Sequence, residues 1–150
     1  MKNLCKVPSM IAIDSNVLLR FILEDDQEQT EQAERLIEGR EKVLVTDTVL
    51  VETLWTLRGN KYSLNRQEIS ETVLSLFKQP NLQFEDGQVV WKALNDYKKS
   101  KTVKGKRADF PDALIVNKAR FVIENKGEAF KGSYTFDKAA QQLPGAKKPE

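Results

Sequence analysis

Histidine is missing from all 150 residues. Its absence removes serine–histidine and cysteine–histidine nucleophile pairs, paired-histidine RNA hydrolysis and most zinc sites. Any catalysis must therefore run on carboxylates, hydroxyls, amines or a bound metal. Cysteine is nearly missing too, with Cys5 alone. A single thiol excludes an intrachain disulfide framework and fits a reducing, cytoplasmic setting; Cys5 reads as incidental. No apolar run nears the ~20 residues of a membrane-spanning helix, so no membrane partner is expected. Met1–Lys6 hold no apolar core of signal-peptide length. A dominant charge sign is lacking as well, at 24 basic against 22 acidic residues and a net charge of +2. Any nucleic-acid footprint must then come from local clustering. No repeat or low-complexity block is evident.

What is present fits one domain over 1–150, a length that buries roughly 68–70% of the unfolded surface. The stretch from Met10 to Phe21 organises the rest. Met10-Ile11-Ala12-Ile13 is a short apolar run suited to a buried strand. It ends in Asp14, then Ser15 and Asn16, residues that favour helix caps and turns. Helical apolar spacing resumes at Val17, Leu18, Phe21 and Ile22. Strand, acid, helix is the opening of a βα unit, and the carboxyl edge of an open α/β sheet is where ligands bind. A plain helix cap at Asp14 remains the alternative.

Downstream, helices are predicted over Ser15–Leu23, Glu28–Gly39, from Asp47 or Thr48 to Gly59-Asn60, from Ser63 or Asn65 to Pro80, from Asp86, and from Phe110 or Pro111 to Lys126-Gly127. Short strands are predicted at Lys42–Thr46, Asn81–Phe84 and Ser133–Phe136, and Lys138–Leu143 fits one helical turn. Residues 1–9 read as an N-terminal extension and 144–150 as a loose tail. Leu36, Trp55, Trp91, Ile115, Val122 and the phenylalanines are assigned to the core. Strands alternating with helices imply an α/β fold of three layers, α/β/α, around a mainly parallel sheet of four to five strands.

Four acids take comparable places in this layout. Asp14 and Asp137 each follow a strand, Asp112 lies in the first turn of a helix, and Glu52 sits inside an apolar stretch. Strand carboxyl ends and helix amino ends share one rim of such a sheet, so the four can converge there. Two carboxylates ~4 Å apart repel by about 4 kcal/mol at an effective dielectric of 20. Clustered acids therefore hold protons or bind a cation, and oxygen-only ligands favour Mg²⁺ or Mn²⁺. Such an ion activates water and clamps a phosphate oxygen. Singly, each acid has a plainer reading: Asp112 as a helix-dipole acid, Asp137 as a cap, Glu52 as a partner of Arg20 or Arg58.

Taken in order, these motifs resemble the PIN-domain family. Ile13-Asp14-Ser15-Asn16-Val17-Leu18-Leu19-Arg20 is similar to its opening and Val51-Glu52 to its second acid. Asp109-Phe110-Pro111-Asp112-Ala113-Leu114-Ile115 resembles the third motif, and Thr135-Phe136-Asp137 the fourth. The resemblance runs from Met10 to about Leu143 and lies nearest the VapC toxins of bacterial toxin–antitoxin pairs. It implies a Mg²⁺-dependent endoribonuclease of small α/β fold, a homodimer held inactive by a cognate antitoxin, whose cut leaves a 5′-phosphate and a 3′-hydroxyl. It further implies a catalytic metal site of Asp14, Glu52, Asp112 and Asp137, with Asp14 and Asp112 as direct ligands and the other two acting through water or on a second ion. Ser15, Asn16 and Thr135 would orient carboxylates or waters. Asp109, three residues before Asp112, competes for the ligand role. Departures are the nine-residue extension, which leaves Met10 open as a start, and Pro111 in place of a small residue.

Lys98, Lys99, Lys101, Lys104, Lys106 and Arg107 precede the third motif. Lys98 and Lys99 suit a solvated helix end, whereas Lys104, Lys106 and Arg107, nearest the acids, suit an RNA phosphate backbone. The resemblance places an antitoxin groove on the helices Asp26–Gly39 and Asp47–Gly59. Two rivals stand beside the nuclease: a nucleic-acid-binding module without catalysis, and a phosphatase with Asp14 as nucleophile. Asn16 counts against the second, because it stands where such enzymes place another aspartate.

Overall fold

Parallel strands cannot be joined by tight turns, and in the first half of this chain a pair of helices fills each crossover. The structure, a computed structural model, describes residues 7–150, so the readings of Cys5 and of the first six extension residues lie outside it. The chain divides between Glu85 and Asp86 into two compact units.

In the first unit the order is β1 (Met10–Ala12), α1 (Ser15–Leu23), α2 (Gln27–Ile37), β2 (Lys42–Val45), α3 (Asp47–Arg58), α4 (Arg66–Phe77) and β3 (Leu82–Phe84). The strands pair in parallel in the order β1-β2-β3, with Val43 opposite both Ile11 and Leu82. Central β2 buries Val43 and Val45 completely. Each helix starts on a residue whose side chain accepts an N–H three positions on: Asp14, Asp26, Thr46 and Asn65. For α3 that cap falls one residue before the predicted pair. Asn65 and Glu68 complete a reciprocal capping box.

The second unit begins with α5 (Gly87–Lys99) and α6 (Phe110–Asn125), which pack on each other. Tyr97 meets Phe110 edge-on, with ring centroids 6.0 Å apart. The buried Asn117 amide donates to Asp96 and to the Ala113 carbonyl, each at 2.9 Å. β4 (Ser133–Tyr134), a 3₁₀ turn (Ala140–Gln142) and β5 (Ala146–Lys147) follow. β4 and β5 pair in parallel, so the expected single sheet is instead three strands in one sheet and two in another. The tail read as loose is therefore tied down at Ala146 and Lys147. Gly145, at φ +89, is what lets it approach α6. A Cβ there would stand 2.5 Å from Arg120 Nη2 and 3.0 Å from the Phe130 ring. Arg120 lies over that ring, 4.8 Å from its centroid.

Several large side chains assigned to the core are exposed: Leu36, Trp55, Trp91, Ile115, Val122 and Phe136. Helix geometry explains most of them. The buried stripe of α3 is Leu50, Leu54 and Leu57. At about 100° per residue, Trp55 falls roughly 140° from its centre. The same rotation takes Ile115 away from the buried Phe110, Leu114 and Asn117. No helix among the described residues is long and apolar enough to cross a membrane.

Candidate metal centre

The acids found in sequence gather in two groups, one in each unit. In the first, β1 ends two residues before α1, and Asp14 occupies the joint. Its Oδ1 accepts the Val17 N–H at 3.0 Å while the residue stays exposed. The next residue, buried Ser15, donates its hydroxyl to Glu52 Oε1 at 2.7 Å. This bond links the start of α1 to the middle of α3. Glu52 is exposed, not sunk in the apolar stretch that surrounds it in sequence. Its bond goes to Ser15, while Arg20 turns to Tyr62 and Asp25. Asn16 is exposed on the first turn of α1.

The second group forms where α6 begins. Asp109 is the N-cap and Pro111 lies in the first turn, where its missing N–H costs nothing. Asp112 Oδ2 accepts the Asp109 N–H at 2.9 Å, so both acids of the third motif belong to one capping box. Asp112 is half-buried, and burial pushes its carboxyl above the usual carboxylate range. The Asp109 N–H opposes that shift, and the charges of Asp137 and Asp109 add to it. Asp137, exposed, accepts the Ala140 N–H at 3.0 Å and donates its own N–H to Thr135 Oγ1 at 3.1 Å.

Two further acids follow strands of the first sheet. Asp47 opens α3 directly behind β2, and Glu85 follows β3. A carboxylate oxygen of each lies within 4.8 Å of one on the other, and Glu85 Oε1 accepts the Asp47 N–H at 3.0 Å. Neither is among the four acids expected from sequence, where Asp47 reads only as a helix start, although both share the strand-then-acid position of Asp14.

Between α5 and α6 the basic loop closes on itself. Val103 and Lys106 exchange backbone hydrogen bonds around Lys104 and Gly105, both at positive φ, 51° and 78°. This is the turn that suits a two-residue hairpin. Lys104 and Lys106 are exposed there, whereas Arg107 donates to the Ser100 carbonyl at 2.6 Å and caps the end of α5. The donors in both acid groups are carboxylate and hydroxyl oxygens, with no imidazole or thiolate. That set suits a hard divalent cation and suits zinc or copper poorly.

A family model described as "PIN domain" matches residues 11–139. No curated protein matches the chain. Among solved structures it is similar to VapC20 of Mycobacterium tuberculosis, described as a toxin that cleaves the sarcin–ricin loop. The two share 19% identity over 87% of this chain and 92% of that one, with a TM-score of 0.37.

Proposed function

From the premise that the chain belongs to the PIN-domain family, we propose that it is a metal-dependent endoribonuclease of the VapC toxin type. As one PIN domain, Asp14, Glu52, Asp112 and Asp137 hold Mg²⁺ or Mn²⁺. The observation that carries the reading is the crowding around Asp112. A half-buried carboxylate, bearing the charges of two other acids, gains most from a cation. When bound, the cation supplies Lewis-acid stabilisation of the phosphate and a more acidic water.

The chain's own residues do the rest. Asp14 and Asp112 are direct ligands; Ser15 orients Glu52, and Thr135 steadies the backbone at Asp137. Lys104, Lys106 and Arg107 attract the RNA backbone. The protein works in the cytoplasm as a homodimer under a cognate antitoxin. Asp14→Asn and Asp112→Asn, purified separately, should keep their circular dichroism spectra and lose Mg²⁺-dependent RNA cleavage by at least a hundredfold. Cleavage at the wild-type rate by both would end the proposal.

A second reading has an observation in its favour. Asp14, Asp112 and Asp137 each already accept a backbone N–H at a helix or turn start. A non-catalytic RNA-binding module would use them so and nothing more. It would hold RNA equally in EDTA and in Mg²⁺ and never shorten it.

A further inference from the structure

Phe136 stands between two residues with set tasks. Thr135 Oγ1 takes the Asp137 N–H, and Asp137 takes the Ala140 N–H, so the turn closes without the phenyl ring. The ring is 83% exposed and Tyr134, two positions back, is 58% exposed. The ladder runs one residue past β4, with Thr135 N–H donating to the Lys147 carbonyl at 2.9 Å, and Phe136 stands at the bend that follows. Four exposed lysines accompany them: Lys131, Lys138, Lys147 and Lys148. The Lys147 stem lies across Gly132, where a Cβ would come within 2.9 Å of its Cδ. From Ala129 to Pro149, Asp137 is the only acid.

Exposed aromatics interleaved with cations are the makings of a single-strand nucleic-acid surface: π-faces take bases and ammonium groups take phosphates. We propose that the β4–β5 ribbon binds an unpaired stretch of the RNA substrate. Phe136 and Tyr134 stack on bases, and the lysines hold the flanking phosphates. This deepens the nuclease reading and rests on it, because adjacency to Asp137 is what ties a stacked base to the bond being cut. Bases inside a duplex present no free face, so loops and single strands are preferred. An acidic protein segment would suit the lysines alone; the aromatic pair beside Asp137 favours RNA.

The test is fluorescence anisotropy on the full chain in EDTA, with labelled oligouridine alone and annealed to oligoadenosine. The single strand should bind more tightly than the duplex. Phe136→Ala should weaken it about tenfold or more, and Phe136→Trp should retain affinity. Lys147→Ala with Lys148→Ala should flatten the salt dependence by roughly 1.4 in log–log slope. Wild-type affinity in Phe136→Ala, or duplex binding as tight as single-strand binding, would overturn the inference. Cleavage plays no part in EDTA, so the nuclease reading fails separately: a wild-type chain that binds oligouridine in EDTA but never shortens it in Mg²⁺ would end that reading and leave this one standing.

Discussion

Asp112 is the side chain on which its surroundings act most clearly. Burial, then the charges of Asp137 and Asp109, raise its folded pKa, against a single backbone N–H that lowers it. The sign of the consequence follows from linkage. Between the ordinary carboxylate pKa and the raised one, the folded state binds more proton than the unfolded, so stability falls as pH rises through that window and stays lowered above it. Asp112→Asn removes the penalty and keeps an oxygen for the Asp109 N–H. Its melting temperature at neutral pH should equal or exceed wild type, and the gain should vanish once pH drops below the ordinary carboxylate range. Mg²⁺ should raise the wild-type melting temperature, by a free energy of about 2.7 kcal/mol at a hundred times Kd, and leave the variant unmoved. A thermal scan across pH, with and without Mg²⁺, checks both. The sequence picked out this acid by motif, but the burial that shifts it depends on Phe110, Pro111 and their neighbours packing, which no local pattern reports.

At the level of elements, what was legible is what is local. Caps such as Asp14, Asp26 and Asn65 act on N–H groups three residues away, so the starts of α1, α2 and α4 could be read from short windows. β5 could not. Its two residues pair only with Ser133 and Tyr134, a non-local match with no pattern of its own. Trp55 and Ile115 misled because hydrophobicity outweighed rotational phase. The Ser15–Glu52 bond was also out of reach, since it joins two helices 37 positions apart. It carries a prediction. Ser15→Ala deletes the donor but leaves Glu52 hydrated, so stability should change by about 1 kcal/mol or less. If the hydroxyl positions Glu52, Mg²⁺ affinity or cleavage should drop roughly 10- to 100-fold. Isothermal titration with Mg²⁺ separates this from a merely structural role, which would leave metal affinity intact.

Across the whole molecule, the family match spans 11–139 and so takes in acids from both compact units. Asp14, Glu52, Asp112 and Asp137 all fall inside that span, Asp14 and Glu52 in the first unit and Asp112 and Asp137 in the second. The net charge of +2 was uninformative, because the charges are sorted locally: acids follow strands, and lysines crowd the Val103–Lys106 hairpin and the β4–β5 ribbon. The nuclease proposal asks the two acid groups to serve one chemistry, and that demand is testable without knowing the RNA. Residues acting as a unit are grossly non-additive, since losing one member removes most of what losing all would remove. Asp14→Asn, Asp112→Asn and the double variant should therefore show nearly equal residual cleavage in single-turnover assays on a generic single-stranded RNA. Independent sites would instead multiply their losses. A double variant slower by the product of the single effects would mean that the two groups work apart, and the shared-cation reading would have to be abandoned.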